Sequence, residues 1–473
     1  MVFSSVTFLT LFLPITLLVY YLLPLAARNA WLLLASLAFY AVGEPVLVLL
    51  FVAEILWNWA FGLAIDKRRD TRSAKALLAL CLAGDLGVLA VFKYLGFFAR
   101  IAETLSGATL AVPELALPIG ISFYTFQEVS YVVDVYRGAS PQRNPLATGL
   151  YLALFPQLIA GPIVRYTDIE PQLGRRDVTL DDVTDGFFRF ARGLCKKVLV
   201  ANQLAELTDV VLDPSAVVEM PAPLVWLAAL SFALQIFFDF SGYSDMAIGL
   251  GRMFGFTLPE NFRDPYCAAT ATEFWRRWHI SLSSWFRDYV YIPLGGSRAG
   301  DAATLRNLAI VWTLTGLWHG ADWAFVLWGI GWGCLIALER FVVRPDSRGR
   351  GFRVVWRIIV LLCALILWVP FQAGDLESAA LVLAQMFSPA AWALAGERAT
   401  WIVMWLHDKW PCLLAGLVMA AGVPGAVARR IPQEGTAHDV VETVCSVVLV
   451  ALSALAFSFV VQGAYNPFLY FQF

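Results

Sequence analysis

Charged residues are scarce in this sequence. Of its 473 residues, 15% are Asp, Glu, Lys or Arg, whereas 59% are hydrophobic. A water-soluble domain of this length would need far more charge to cover its surface. The composition therefore excludes an ordinary soluble protein and indicates one that crosses the membrane many times. The formal net charge of −2 gives no reason to expect nucleic acid as a partner.

Paired cysteines are also lacking. The seven cysteines are scattered through apolar stretches without a C-x-x-C pair, so the sequence predicts neither a disulfide framework nor a zinc site. Histidine, Asp and Glu likewise show no metal-ligand spacing, and no metal is expected.

Long apolar runs are what the chain has in abundance. They predict an all-α polytopic integral membrane protein with about ten to twelve transmembrane helices around a central tunnel. We expect a single membrane domain over residues 1–473, with most motifs between about 115 and 345 and an aromatic tail at 465–473. The first apolar run, Val6 to Leu25, lacks a basic n-region and a small-residue cleavage site, so we expect a retained helix. The runs long enough to span lie near 6–25, 46–65, 76–98, 222–250, 306–343, 354–371, 411–427 and 441–463.

Proline and glycine interrupt several shorter apolar runs. Leu117 to Ser122 and Phe155 to Pro162 are examples, and such interruptions are typical of broken or re-entrant helices that line a cavity. The basic segments at 66–72 and 344–357 predict loops on the cytoplasmic side. Counting spans from these loops predicts that the C-terminus lies on the outer side of the membrane.

One histidine stands out within an apolar setting. His319 lies in the run from Trp312 to Trp323, which is mostly apolar and aromatic. A group that exchanges protons near neutral pH is costly to hold in a bilayer, so the first hypothesis is a reaction centre. We predict that His319 lies within one helix and that Asp322, on the same face, orients the ring. An imidazole so placed can act as general base toward a hydroxyl nucleophile, whereas a histidine that only bridges helices is the structural alternative.

Several sequence blocks together resemble the membrane-bound O-acyltransferases. Within that family the chain is most similar to the bacterial subgroup that acetylates alginate and other exopolysaccharides. The resemblance implies acetyl-CoA as a cytoplasmic donor with no permanently bound cofactor. It also implies an acetyl group passed to a periplasmic esterase-like acetyltransferase within a polysaccharide secretion complex of the inner membrane. The blocks are Met1–Ser5, Leu117–Phe126, Phe155–Pro162, Phe238–Gly249, Glu273–Leu282 and Gly316–Gly320.

The resemblance also points to a second histidine, His279. It follows Trp275-Arg-Arg-Trp278, a pattern that predicts an amphipathic interfacial helix with an ion pair between Glu273 and Arg277. His279 would help to position the donor or the acceptor, and a purely structural role at the interface is the alternative.

Donor binding is predicted at four residues around these histidines: Arg276, Arg277, Trp318 and Asp322. Guanidinium groups suit the phosphates of coenzyme A, but they suit lipid headgroups equally. Asp239 and Asp245 lie on different faces of one apolar helix, and we expect them to pair with arginines rather than to hold a metal.

The C-terminal segment Phe468-Leu-Tyr470-Phe-Gln-Phe473 is too short to span a membrane. A related D-alanylation system has an accessory protein that ends in a similar aromatic sequence, which suggests that Tyr470 is an acyl carrier. In this hypothesis His319 deprotonates Tyr470, and the phenol takes the acetyl group. An aromatic anchor at the interface is the alternative.

Other functions stay open from the sequence. A D-alanyl transferase for a cell-wall polymer is the nearest enzymatic rival, and a polytopic transporter or scaffold of a secretion complex is the non-enzymatic one. Four kinds of acetylated polymer are compatible with these motifs: alginate, acetylated cellulose, another exopolysaccharide and peptidoglycan.

Overall fold

A computed structural model describes residues 1–113, 115–174, 176–394, 396–431, 434–463, 465 and 466. Its regular structure is helical, without a strand in any of these ranges, which confirms the all-α prediction. The α-helices, in chain order, are α1 (Leu13–Leu22), α2 (Leu25–Gly43), α3 (Leu47–Lys67), α4 (Arg72–Leu89), α5 (Leu95–Ser106), α6 (Ile121–Tyr136), α7 (Pro145–Ala153), α8 (Phe155–Leu158), α9 (Tyr166–Ile169), α10 (Leu180–Cys195), α11 (Asn202–Val211), α12 (Ala222–Met253), α13 (Ala271–Arg277), α14 (Ile280–Phe286), α15 (Asp301–His319), α16 (Trp323–Leu338), α17 (Arg350–Ala373), α18 (Leu376–Phe387), α19 (Glu397–Ala420), α20 (Val423–Ala428) and α21 (Thr436–Val461).

Eight helical segments in the described ranges are long and apolar enough to cross a membrane. Two shorter apolar helices accompany them, Phe8–Leu22 and Leu376–Phe387. The polytopic class is therefore as predicted, although the full-length spans are fewer than the expected ten to twelve. The eight spans are Leu25–Gly43, Leu47–Lys67, Arg72–Ser106, Ala222–Met253, Trp323–Val343, Arg350–Ala373, Glu397–Ala420 and Thr436–Val461.

The long apolar run at 306–343 is not one helix. It divides into α15 and α16, because the chain leaves the helix at Gly320 and Asp322 caps the next helix by accepting a hydrogen bond from the Ala324 amide (3.1 Å). The prediction that His319 and Asp322 share a helical face is therefore wrong. Glycine followed by a capping aspartate is a helix stop and start signal.

Both interruptions predicted from proline and glycine are present. Gly120 has a left-handed backbone (φ 76°), and α6 begins directly after it. A Cβ atom at Gly120 would lie 2.7 Å from the Leu158 carbonyl oxygen, so only glycine permits this approach. The four-residue α8 and the turn after it make the second break.

The chain forms two compact units. Unit 1 comprises residues 1–190 and 243–259, and unit 2 comprises 191–242 and 260–473. In unit 1, α3, α4 and α6 pack mutually. Arg176 links two loops of unit 1, because its guanidinium group donates hydrogen bonds to the carbonyl oxygens of Phe254 (3.2 Å) and Gln172 (2.7 Å).

Unit 2 has a core rich in tryptophan. Trp275, Trp328, Trp332 and Trp368 are each at most 5% exposed, and Phe274 stacks on Trp332 with ring centroids 5.0 Å apart. Aromatic side chains bury large areas in few rotamers, so this core gives a stiff support to the helices around it.

Candidate active site

Two helices, α15 and α16, form a close antiparallel hairpin in unit 2. Glycines allow the close approach, because a Cβ atom at Gly333 would lie 2.9 Å from the Trp312 side chain and one at Gly329 would meet the α15 backbone. His319 is the last residue of α15, directly before the turn. The hairpin therefore fixes the imidazole at its closed end.

The His319 ring is enclosed by aromatic side chains and is 3% exposed. Its centroid lies 4.8 Å from Trp318, 4.8 Å from Trp328 and 5.1 Å from Phe371, each in an edge-to-face arrangement. Water is largely excluded from this position. Hydrogen bonds and charge interactions are stronger in such a low-dielectric setting than in water.

His279 occupies the break between α13 and α14. It adopts the left-handed backbone conformation (φ 43°, ψ 54°) and is fully buried. The prediction of an amphipathic interfacial helix through His279 is therefore wrong. A left-handed residue cannot continue a right-handed helix, so the chain turns there and directs the ring inward.

One hydrogen bond sets the tautomer of His279. The Asn261 side-chain oxygen accepts from the Ser281 backbone N–H (3.2 Å) and hydroxyl (2.9 Å), and it lies 3.2 Å from His279 Nδ1. Because a backbone N–H always donates, this Asn261 atom is the carbonyl oxygen and Nδ1 must carry the proton. Nε2 then carries the lone pair. Burial lowers the pKa of His279 to about 3, so the ring is neutral at physiological pH.

Both imidazoles contact the same indole. The His279 ring lies 5.9 Å from Trp318, which also packs on His319, and Phe240 of α12 closes the other side of His279 at 4.6 Å. The structure thus brings the side chains of His279, His319 and Trp318 together.

A polar cavity of about 800 Å³ lies at the open end of the α15–α16 hairpin. Arg276, Arg340 and Arg344 line it together with Glu273 and Glu339. Three guanidinium groups around one cavity suit an anionic ligand with several phosphates.

Glu339 links this cavity to the segment that carries His279. Its carboxylate, 3% exposed, accepts hydrogen bonds from the backbone amides of Ala271 (2.6 Å) and Thr272 (2.9 Å) at the start of α13, and from the Trp356 indole (2.7 Å). A carboxylate at a helix N-terminus stabilises that helix. Glu339 therefore fixes α13, which carries Arg276 at its end and leads into His279.

The other predicted residues have defined places. Arg277 forms the expected ion pair with Glu273, while Arg276 faces the cavity. Asp322 caps α16 rather than lying beside His319 on one helix. Tyr470 lies outside the described residues.

The two acidic residues of α12 are paired, as expected, but one partner differs. Asp245 pairs with Arg189 at 3.0 Å. Asp239 pairs with Lys197 at 2.7 Å instead of an arginine, and both side chains are 2% exposed. In the ranges that the structure describes, no three His, Cys, Asp or Glu side chains converge to hold a metal ion.

Sequence reasoning missed Asn261, Glu339, Arg340 and Arg344. The two arginines had a visible signal, because Arg344 begins the basic segment predicted to be a cytoplasmic loop and Arg340 adjoins it, but that signal indicated orientation rather than a site. Asn261 had none, since its partners are 18 and 20 residues away.

The structure is thus a polytopic helical fold with two buried histidines near one end of the α15–α16 hairpin and an arginine-lined cavity at the other. The model of the membrane-bound O-acyltransferase family matches residues 136–345. A probable alginate O-acetylase of Azotobacter vinelandii is 40% identical over the whole of both chains, and one of Pseudomonas aeruginosa is 43% identical over 84% of this chain and 77% of its own length. A peptidoglycan O-acetyltransferase of Helicobacter pylori is 34% identical over 82% of this chain and 80% of its own. The chain belongs to the membrane-bound O-acyltransferase family, and it is a multi-pass membrane enzyme.

Proposed function

We propose that this protein is an inner-membrane O-acetyltransferase that takes acetyl groups from cytoplasmic acetyl-CoA. It passes them to a periplasmic esterase-like partner, which acetylates an exopolysaccharide, alginate-like or cellulose. The observation that carries the proposal is the position of buried His319 at one end of a hairpin whose other end borders an arginine-lined cavity.

The length of the hairpin matches an extended donor. From Leu308 to His319 the helix rises about 16 Å, and from Trp323 to Arg340 about 25 Å. Phosphates held at the arginines would therefore be separated from His319 by most of the hairpin. The flexible pantetheine arm of coenzyme A, which ends in the thioester, has the required elongated form.

In the proposed reaction His319 removes the proton from an acceptor hydroxyl as its oxygen attacks the thioester carbonyl. The carbon–sulfur bond then breaks, and the thiolate takes the proton back from the imidazolium, so that an ester and a free thiol result. A general base works best with a pKa near the working pH. A pKa of about 3 makes His279 a poor base, so we assign it to positioning through its Nε2 lone pair.

Tyr470 is our candidate for the first acceptor hydroxyl. It lies three residues after Pro467 in the aromatic tail, and the periplasmic partner would collect the acetyl group from it. Intact-mass analysis of protein incubated with acetyl-CoA without the partner tests this step. An acetyl group on the tail peptide is expected. Its absence, with acetyl still reaching the polymer when the partner is added, would remove the relay.

The enzyme itself is tested with His319→Gln in membranes supplied with radiolabelled acetyl-CoA and the partner. We expect polymer acetylation to fall by at least about 100-fold, because general-base catalysis contributes roughly 100- to 10,000-fold. His407, exposed on α19, provides the matched control, and His407→Gln should retain full activity. Normal acetylation by His319→Gln at equal expression would refute the proposal.

Donor binding is tested separately. Arg344→Gln should raise the KM for acetyl-CoA about 10-fold or more with little change in kcat, since a lost charged hydrogen bond costs about 1.5–3 kcal/mol. An unchanged KM in the variants of all three cavity arginines would assign the cavity to lipid headgroups instead.

A further inference from the structure

Unit 1 contains three buried acids that the proposed reaction does not use. Glu54 lies on α3, Asp85 on α4 and Glu128 on α6, with exposures of 5%, 1% and 0%. The Asn58 amide donates to Asp85 Oδ1 (3.0 Å) and ties α3 to α4. Since α3, α4 and α6 pack mutually, the three carboxyl groups share one interior.

The carboxyl groups are within electrostatic reach of one another, because Glu128 interacts with both Glu54 and Asp85. The Tyr124 phenol lies beside Glu54 and packs on Phe51 with ring centroids 4.5 Å apart. Yet in the described part of the chain no group meets normal hydrogen-bond geometry with the carboxyl oxygens of Glu54 or Glu128, or with the Tyr124 hydroxyl.

The other titratable groups that face the cluster are themselves acids: Tyr40 on α2, Cys81 on α4 and Tyr124 on α6. The exposed basic groups lie at the ends of α3 and α4: Lys67, Arg68, Arg72 and Lys75. Lys93 donates to Ser122 Oγ (3.0 Å), six residues and about 9 Å along the helix from Glu128. Arg69 pairs with Asp66 near the end of α3, about 18 Å from Glu54.

The cluster also lies at membrane depth, since α3 and α4 belong to segments long and apolar enough to span. An ionised carboxylate held there without a counter-charge would be strongly unfavourable. A divalent metal does not supply that charge, because the described residues contain no converging group of three ligands. A proton on the carboxyl group removes the charge without needing such a set of ligands.

We propose that Glu54, Asp85 and Glu128 form a proton-binding site inside unit 1, in which Glu54 and Glu128 are neutral carboxylic acids at neutral pH. A protonated carboxyl group offers one O–H donor and keeps an acceptor. Such groups can therefore hydrogen-bond with one another and with the Tyr124 hydroxyl without carrying net charge.

Dicyclohexylcarbodiimide provides a direct test on the full-length protein in lipid nanodiscs. The reagent partitions into the membrane and adds across a protonated carboxyl group: the acid proton goes to one carbodiimide nitrogen, the acyl group ends on a nitrogen as an N-acylurea, and nothing leaves. Peptide mass mapping at pH 7 should find the adduct on Glu54 or Glu128. Glu442, which is exposed on α21, should stay unmodified and is the internal control.

The isosteres Glu54→Gln and Glu128→Gln mimic the neutral acid. Each should abolish the adduct at its own position and leave the melting temperature within about 2–4 °C of the wild type. Infrared spectra of the wild type at pH 7 should show carboxylic-acid C=O bands that disappear in the double variant. Absence of both adduct and acid bands would overturn the proposal. Suppression of labelling by Na⁺ or K⁺ at constant pH would overturn it in favour of a metal-cation site.

Discussion

The carboxylate of Glu339 is expected to be a main stabilising group of unit 2. It accepts hydrogen bonds from two backbone amides of α13, from the Thr272 hydroxyl (3.1 Å) and from the Trp356 indole. Replacement by alanine removes a helix cap worth about 0.5–2 kcal/mol and leaves the buried indole N–H unsatisfied, at about 1–3 kcal/mol. The expected destabilisation of Glu339→Ala is therefore about 3 kcal/mol.

A loss of that size lowers the melting temperature by roughly 6–12 °C, at about 2–4 °C per kcal/mol. Thermal unfolding in detergent, followed by intrinsic tryptophan fluorescence, measures it. Glu339→Gln keeps one acceptor oxygen and should lose about half as much, whereas Glu442→Ala on the exposed face of α21 should lose nothing measurable. A melting temperature of Glu339→Ala within 2 °C of the wild type, by the same scale, would refute the assignment.

Three further predictions concern buried groups of unit 2. Burial lowers the His279 pKa from 6.5 to about 3, so unfolding between these pH values takes up a proton, and the free energy of unfolding should fall by about 2 kcal/mol from pH 6.5 to pH 5. His279→Gln should remove this pH dependence of stability, and an equal pH dependence in both proteins would contradict the assignment. Lys197→Met should destabilise the protein by about 3–5 kcal/mol because it leaves Asp239 charged and buried, and the double variant with Asp239→Leu should recover most of that loss. Urea titration of both variants measures the two stabilities, and no recovery in the double variant would argue against the ion pair. Gly316→Ala places a Cβ atom against the α16 backbone, so it should lower stability by about 1–3 kcal/mol and reduce acetylation activity. Gly351→Ala, with open space around it, should change neither, and equal stability and activity of the two variants would exclude the close approach of α15 and α16.

Much of the fold follows from residue patterns. The predicted span at 222–250 is α12, Ala222–Met253, and the span at 46–65 is α3, Leu47–Lys67, because long uninterrupted apolar runs carry a strong signal. The break after His319 was missed, since the apolar character continues on both sides of a three-residue turn. Hydropathy alone cannot locate such a turn, although Gly320 and Asp322 mark it.

The sequence pointed to the two histidines of the candidate site, but it did not predict the residues and backbone conformations around them. An imidazole in an apolar run is visible in the sequence, so His319 could be found from the chain alone. The left-handed backbone of His279 was not predictable, because a residue other than glycine adopts it only when the tertiary structure requires it. The choice of Lys197 over an arginine as partner of Asp239 also depends on packing between elements distant in sequence.

The left-handed backbone conformation of His279 makes folding less favourable, so the reason for a histidine at this position lies in catalysis rather than in stability. A side chain in the left-handed region costs about 1 kcal/mol relative to glycine, and the buried ring adds a further polar group to satisfy. Glycine would relax the backbone at this corner but would leave a cavity where the ring packs against Phe240 and Trp318. An imidazole held in this strained conformation points to a task that only its nitrogens can perform, and a His279→Gln protein that keeps its fold but loses acetylation would make the division visible.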